Sequence, residues 1–491
     1  MSRFCPAAFR LIFIPVLALL VSYPAPAQDP ASPPPSQTQP AAQKDELPAT
    51  QPEPPIKITP QQADQLFSDV DTILDFASKD SSLAIKHGIK RRLASREEVV
   101  SYLHKNMDED KDVQRLKRTE LVLKKFGLLP KNFDLQTFLV GLLEEQVAGY
   151  YDSKTKTVNI LDWVAPDLQR PVLAHELTHA LQDQSFGLDR WLKKGAEDLD
   201  SKKNLTAADI TEDENSEARQ AVVEGQAMVV LLDYMLLPMH RTVADSPEMV
   251  DTMNEEMRSG TPDSVQFKNA PIFLKESLTF PYRYGLEFEA EVLRAQGKEK
   301  AFAGPFQNPP STTREIMEPR TYISGEHVLP LELPDFKQIF KNYERFDVGA
   351  IGEFDVAVLA EQYAGEDVAK KIYPNWRGGY YYSVHPKGNP AGQLGLVFVS
   401  RWASDKSAAQ FAAIYARGMK QRYETVEANT HSDLDMKKLE SLSGDYTWLT
   451  EEGPVVIAVQ NDTVLVTESL DPAITEEFRH AVLGTVTAAS Q

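Results

Sequence analysis

Residues 173–181 read Leu-Ala-His-Glu-Leu-Thr-His-Ala-Leu, and no other stretch limits so tightly what this chain can fold into. Leu173, Leu177, Ala180 and Leu181 recur at helical spacing, so the segment reads as a helix with one buried apolar stripe. His175 and His179 are four residues apart and therefore share a face of that helix. Both imidazoles can then reach one metal ion, while Glu176 lies within reach of a water beside the ion and can take its proton. Pro171 is tolerable in the first turn and Gly187 follows the last, so the helix should run from about Asp167 to about Gln184.

A tetrahedral catalytic zinc needs a third protein ligand and keeps its fourth position for water. A third histidine six residues after the second is absent, because that position is Ser185, and Gln182 stands where the metzincin pattern has glycine. Cys5 is the only cysteine, which removes thiolate sites and disulfide frameworks alike. The remaining solution is a carboxylate from a second helix, and a helix is expected over about Asn215 to Met239. Glu217 and Glu224 lie on one face of it, two turns apart. Glu224 is the preferred ligand because Gly225 and Ala227 beside it would allow a close approach to the histidine helix. Glu217 is then a bracing or surface carboxylate, with an exchange of the two roles left open. His240 closes this helix and reads as a cap.

The N-terminal segment reads as an address. Arg3 and Arg10 precede an apolar run from Leu11 to Tyr23, and Ala25-Pro26-Ala27 has the small-x-small form of a signal-peptidase site. Residues 1–27 are therefore expected to be a cleaved export signal and 28–56 a Pro/Gln/Ala-rich tether unable to bury a core. The mature protein is expected to be secreted or periplasmic. No later segment looks long and apolar enough to cross a bilayer, the best being Ala227 to Met239, interrupted by Asp233. With 52 basic against 72 acidic residues, net −20, the surface repels phosphate backbones and nucleic acid is set aside as a partner.

The fold class expected is α+β. Residues 57–343 should form a helical lead-in and a mostly helical catalytic core. Residues 344–491 should form a C-terminal antiparallel sheet with helices on one face. Thr59 to about Leu143 has helical periodicity, and the basic run Lys90-Arg91-Arg92 within it reads as a solvated face. Gly149-Tyr150-Tyr151 and Thr157 to Leu161 read as a hairpin around a polar turn. After Tyr343 a helix near Phe354 to Tyr363 leads into strands near 380–384, 394–400, 446–449, 455–459 and 464–467.

A hairpin, an HExxH helix and a Glu-bearing helix in this order resemble the core of gluzincin, thermolysin-like zinc metallopeptidases. More closely, the chain is similar to a group of exported bacterial proteins sharing several further stretches. They correspond here to Glu145–Asp152, Ala174–Gln184, Val223–Ala227, Pro281–Gly285, Pro309–Thr312 and a C-terminal α+β domain. The resemblance implies one Zn²⁺ per chain on His175, His179 and Glu224, Glu176 as general base, and peptide or protein substrates. It further implies that the strand Thr157–Leu161, with Val158, Asn159 and Ile160 at its centre, is an edge that pairs with extended substrate. Tyr282 and Tyr284 are its candidate oxyanion donors, with a plain packing role as the alternative. Two positions depart from the pattern. Met228 stands where thermolysin-like enzymes place an aspartate that braces the first histidine, and Gln226 where the closer group often has an acid. The bracing partners are therefore open, with Asp183 and Glu217 as candidates. Two rival functions stand beside the peptidase: an envelope-associated binding or scaffold protein with a structural or vestigial zinc, and a zinc hydrolase of non-peptide amides.

Overall fold

Capping chemistry sets where the helices of the first half begin. Thr59 closes a capping box with Gln62 at the start of α1 (Pro60–Ser81), and Thr206 does the same with Asp209 for α6 (Ala207–Leu236). The computed structural model describes residues 57–107, 110–146, 149–193, 205–260, 264–428 and 436–484. The expected signal and tether, 1–56, lie outside the described residues. Between α1 and α6 come β1 (Lys90–Ala94), α2 (Arg96–Met107), α3 (Asp110–Lys125) and α4 (Leu135–Gln146). They are followed by β2 (Tyr150–Asp152), β3 (Thr157–Leu161) and α5 (Pro166–Phe186). The protein is α+β.

The helix carrying the two histidines is α5. Pro166 occupies its first turn, and Gly187 ends it in a left-handed conformation at φ 70°, its N–H capping the carbonyl of Asp183. The hairpin β2–β3 forms where expected, but a third strand was not foreseen. Lys90–Ala94 is β1, parallel to β3, and the sheet order is β1-β3-β2. Its first three residues are exposed and basic, so an alternating pattern is missing and only the pairing with β3 makes it a strand.

Helix α6 and the 3₁₀ turn after it, Ala207–Met239, are long and apolar enough to cross a membrane, contrary to the expectation from Asp233. The most apolar window has a mean hydropathy of 1.4, and 72% of it is buried inside the protein, as a central core helix requires. Against it packs α8 (Ile272–Gln296), which follows α7 (Pro247–Ser259). Pro281 lies inside α8, so the Pro-Tyr-Arg-Tyr-Gly stretch is mid-helix. A Cβ on Gly225 would meet the carbonyl oxygen of Gly285 at 2.1 Å, and one on Gly285 would meet that of Ala221 at 2.3 Å. The two glycines let α6 and α8 touch backbone to backbone. Gly225 thus serves the contact with α8, where the sequence reading assigned it to the histidine helix.

Past α9 (Lys298–Gln307), the turn at Pro309–Thr312 starts the short α10 (Thr313–Met317), with Thr312 as N-cap. Thr313 donates through N and Oγ1 to Glu214 of α6, at 2.9 Å each. Arg314 bonds Glu353 of α12 (Glu353–Ala364) at 2.9 Å. The turn therefore ties the helical half to the C-terminal half.

That C-terminal half is a seven-stranded antiparallel sheet ordered β4-β5-β6-β10-β9-β8-β7. The strands are β4 (Tyr343–Ala350), β5 (Trp376–Pro386), β6 (Gly395–Trp402), β7 (Val426–Ala428), β8 (Gly444–Thr450), β9 (Gly453–Gln460) and β10 (Thr463–Glu468). Only β4 and β7 were not read from the sequence. Both are sheet edges; on β4 Glu344 is exposed, while Asp347 is buried and accepts from Tyr381 Oη of β5 at 2.7 Å. Helices cover both faces, where one covered face was expected. Tyr381, Phe398 and Ile457 pack with Phe411 and Tyr415 of α13 (Asp405–Arg422). On the other face Tyr380, Tyr382 and Val399 pack with Phe336 of α11 (Phe336–Ile339) and Phe478 of α14 (Pro472–Leu483). The first of these clusters runs from Ile58 to Val466, so the two halves share a core.

Candidate metal centre

Three donor atoms converge between α5 and α6. Nε2 of His175 and Nε2 of His179 are 3.0 Å apart, and Oε2 of Glu224 is 3.2 Å from the first and 3.3 Å from the second. With metal–nitrogen distances of about 2.0–2.1 Å, the ligand atoms of a tetrahedral zinc stand about 3.3 Å from one another. The triangle is therefore the size of one face of such a shell. All three side chains are buried, at 0%, 3% and 2% exposure. This group can hold a metal ion, and among the described residues no other three His, Cys, Asp or Glu side chains converge in this way.

The charges fit one another. Burial raises the carboxyl of Glu224, but facing His179 and His175 reverses this and holds it at about 2. Burial, then the charge of His179, pushes His175 down to about 4. Burial also disfavours the charged form of His179, yet Glu224 overcomes that and lifts it to about 9. A carboxylate and two imidazoles in contact, cut off from solvent, form a set that a divalent cation neutralises and completes.

Glu176 sits against this group. Its Oε2 accepts the backbone N–H of Tyr151 at 2.7 Å, and its Oε1 is buried with no hydrogen-bond partner. Burial pushes its carboxyl up to about 8; His179 opposes this, Glu224 adds to it, and the Tyr151 N–H opposes it again. A base near neutrality, with one oxygen pinned and the other free, is what proton transfer requires.

The two tyrosines diverge. The Tyr282 ring stacks on the His175 ring, with centroids 6.3 Å apart and planes 26° apart. Tyr284 packs against Phe280 and the guanidinium of Arg283, and burial pushes its hydroxyl up. Only Tyr282 touches the histidine group. Asp183 does not meet the histidines either. It accepts from Tyr151 Oη at 2.8 Å, from Leu188 N at 3.2 Å and from Lys156 Nζ, fastening the hairpin to α5. Glu217 lies in a separate set of buried acids, with Asp355, Glu214 and Asp213, and its carboxyl is held well above the ordinary range by burial and then by those neighbours.

Val158, Asn159 and Ile160 are in the middle of the three-stranded sheet. β3 is paired to β1 along its whole length and to β2 over Thr157–Asn159, so Val158 and Asn159 have no free edge to offer a substrate, and the Leu161 backbone beyond is held by the Gln169 side chain. The correction follows from the unforeseen β1. The free edges are those of β1 and β2, and it is β2 that touches Glu176 through Tyr151.

Two glutamines were noted in the sequence only as departures from pattern. Gln182 Oε1 is 2.9 Å from His179 Nδ1, and Gln182 Nε2 donates to Gln226 Oε1 at 3.0 Å. They hold the place where a carboxylate was sought. The available signal was their position: Gln182 is three residues past His179 and Gln226 two past Glu224, polar side chains within apolar helices. Behind Gln226, Glu289 of α8 is fully buried, and burial pushes its carboxyl well above the ordinary range, with the Gln226 side chain opposing. No family model matches the chain, and no curated protein or solved structure is significantly similar to it.

Proposed function

We propose that the protein is an exported zinc-dependent peptidase of gluzincin type. His175, His179 and Glu224 would hold one Zn²⁺, which when bound lowers the pKa of a water and polarises a carbonyl. Glu176 takes the proton of the attacking water on Oε1 and delivers it to the leaving amine. The Tyr151 N–H keeps that carboxylate oriented during the transfer. Tyr282, whose ring stacks on His175, would be the donor to the developing oxyanion.

One observation carries this reading: beside a buried His-His-Glu group lies a second carboxyl, that of Glu176, with one oxygen fixed and the other without a partner. A zinc that only holds a fold together has no use for it, which weighs against the scaffold alternative. Metal content and proteolysis test it together. The wild-type protein should hold about one zinc and cleave an unfolded protein; Glu176→Gln should hold the same zinc and lose roughly 10²-fold or more in kcat. Equal cleavage by both would remove Glu176 from the mechanism. The export reading is tested by the mass of the mature N-terminus, expected at Gln28.

Burial of all four groups favours a second reading, hydrolysis of a small non-peptide amide in a closed site. The central position of β3 favours it as well, since that strand cannot pair with an extended chain. Turnover of small acyl amides with no cleavage of unfolded protein would decide for it.

A further inference from the structure

Gln182 and Gln226 form a continuous hydrogen-bonded line behind the second histidine. Gln182 Nε2 is 3.1 Å from the carbonyl oxygen of Val223 and 3.0 Å from Oε1 of Gln226. Gln226 Nε2 is in turn 3.0 Å from the carbonyl oxygen of Ala301 on α9. Both amides are completely buried, at 0% exposure, so water does not substitute for any of these partners.

Backbone carbonyls only accept hydrogen bonds. Ala301 O therefore requires the amide nitrogen of Gln226 to face it, which turns Oε1 of Gln226 toward Gln182. Val223 O and that Oε1 together require the amide nitrogen of Gln182 to face them, which turns Oε1 of Gln182 toward His179. An amide oxygen cannot donate, so Nδ1 of His179 must carry a hydrogen. The line does not set the charge of the ring. It sets which nitrogen keeps its proton: the neutral ring presents a bare Nε2 to His175 and Glu224, and the charged ring can give up to a metal only the proton on that atom.

We infer that Gln182 and Gln226 are positioning residues that lock His179 into the Nδ1–H form with Nε2 directed at the metal position, the orientation originating in the carbonyls of Val223 and Ala301. Val223 precedes Glu224 in α6, so the same amide that orients His179 also fixes the helix that carries the third ligand. The inference rests on reading the His-His-Glu group as a metal centre.

The test uses the mature full-length protein with ¹⁵N-labelled histidine, and zinc affinity measured by competition with a chromophoric chelator. Above about pH 9, where the His179 ring is neutral, wild type without zinc should show His179 protonated at Nδ1 and bare at Nε2 in long-range ¹H–¹⁵N correlation spectra. Gln182→Met, which keeps length and apolar fit, should lose that signature and bind zinc roughly 10- to 100-fold more weakly. Gln182→Glu, which keeps an acceptor opposite Nδ1, should retain the signature even though it gives up the donor to Val223. Gln226→Met should weaken zinc severalfold, with no further loss when combined with Gln182→Met, because it acts through Gln182. Thermal unfolding without zinc verifies that each variant is folded. An unchanged tautomer and unchanged zinc affinity in Gln182→Met would overturn the inference. Should Gln182→Met not fold, loss of the Nδ1 signature in Gln182→Glu would overturn it equally. Failure of wild type to take up zinc would refute the metal reading alone, since the tautomer spectra do not depend on it.

Discussion

Glu217 and Glu224 are the same residue type on the same helix, seven residues apart, with 1% and 2% exposure. Desolvation raises both, yet Glu224 is held at about 2 and Glu217 well above the ordinary range. Burial is equal, so neighbours decide. Glu224 faces two imidazoles. Glu217 faces Asp355, Glu214 and Asp213. The same burial therefore leaves one carboxyl lowered by the imidazoles it faces and the other raised further by the acids around it. The largest expected effect separates them. Glu224→Gln should weaken zinc by at least about a hundredfold, roughly 3 kcal/mol for one ligand of a set. Glu217→Gln should leave zinc affinity within about twofold, since its group touches none of the donors. A matching loss in both variants, read by chelator competition, would break the distinction.

The contact that holds Glu224 in place is next in size. Gly225 follows Glu224 in sequence and lies against Gly285, one turn past Tyr282 on α8. Gly225→Ala would set a methyl at 2.1 Å from the Gly285 carbonyl oxygen, so the two helices must part. Overpacking of this kind costs about 1–3 kcal/mol, and more where backbone rather than a flexible side chain is in the way. Zinc affinity should fall with it, because the displacement is adjacent to a ligand, while the acids around Glu217, two turns away, keep their behaviour. Wild-type melting temperature in Gly225→Ala would mean that the helix pair is less tightly held than its geometry requires.

The acid set itself gives a smaller effect with a definite sign. Glu214 is raised to about 8 by burial and then by Asp355, with the Thr313 donors opposing. An unfolded glutamate titrates near about 4.3. Between these values the folded protein binds more protons than the unfolded one, so its stability is fully present below about pH 4 and falls as the pH is raised toward 8. Glu217→Gln removes one member of the set and should flatten that decline. Denaturant unfolding between pH 5 and 8 with a chelator present measures it. A decline as steep as wild type would show that Glu217 does not share in the titration.

The contrast also explains what the sequence could reveal. His175, Glu176, His179 and Glu224 were legible because their chemistry fixes spacing: four residues on one helix face, and a carboxylate on the next helix. The choice between Glu224 and Glu217 was not fixed by spacing, since both lie on one face. It depends on what packs opposite each, namely α5 for one and α10 and α12 for the other. The strand at Lys90–Ala94 was illegible for a related reason. Nothing in Lys-Arg-Arg-Leu-Ala alternates, and only its parallel partner β3, more than sixty residues away, makes it a strand. From that one omission came the mistaken placing of β3 at an edge. Gln226 was visible but read as a lost acid, and Gln182 only as a replaced glycine, because the search was for a carboxylate brace. An amide performs the task here, as an acceptor toward His179 and a donor toward Val223.

Asp183 is the intermediate case, and it calibrates the other two. It is buried at 6% exposure like them, but its partners are the Tyr151 hydroxyl, the Leu188 N–H and the Lys156 ammonium, donors it can satisfy without a metal or a shared proton. Tyr151→Phe removes one of those donors and leaves the others. The expected cost is about 1 kcal/mol, that of a single hydrogen bond to a charged group still otherwise served. Tyr151 meets Glu176 through its backbone N–H, which the substitution keeps. Zinc affinity should therefore stay at the wild-type value, and kcat within about threefold. A large fall in kcat with unchanged stability would instead mean that the hydroxyl acts on substrate, and that the hairpin takes part in the reaction by more than its backbone.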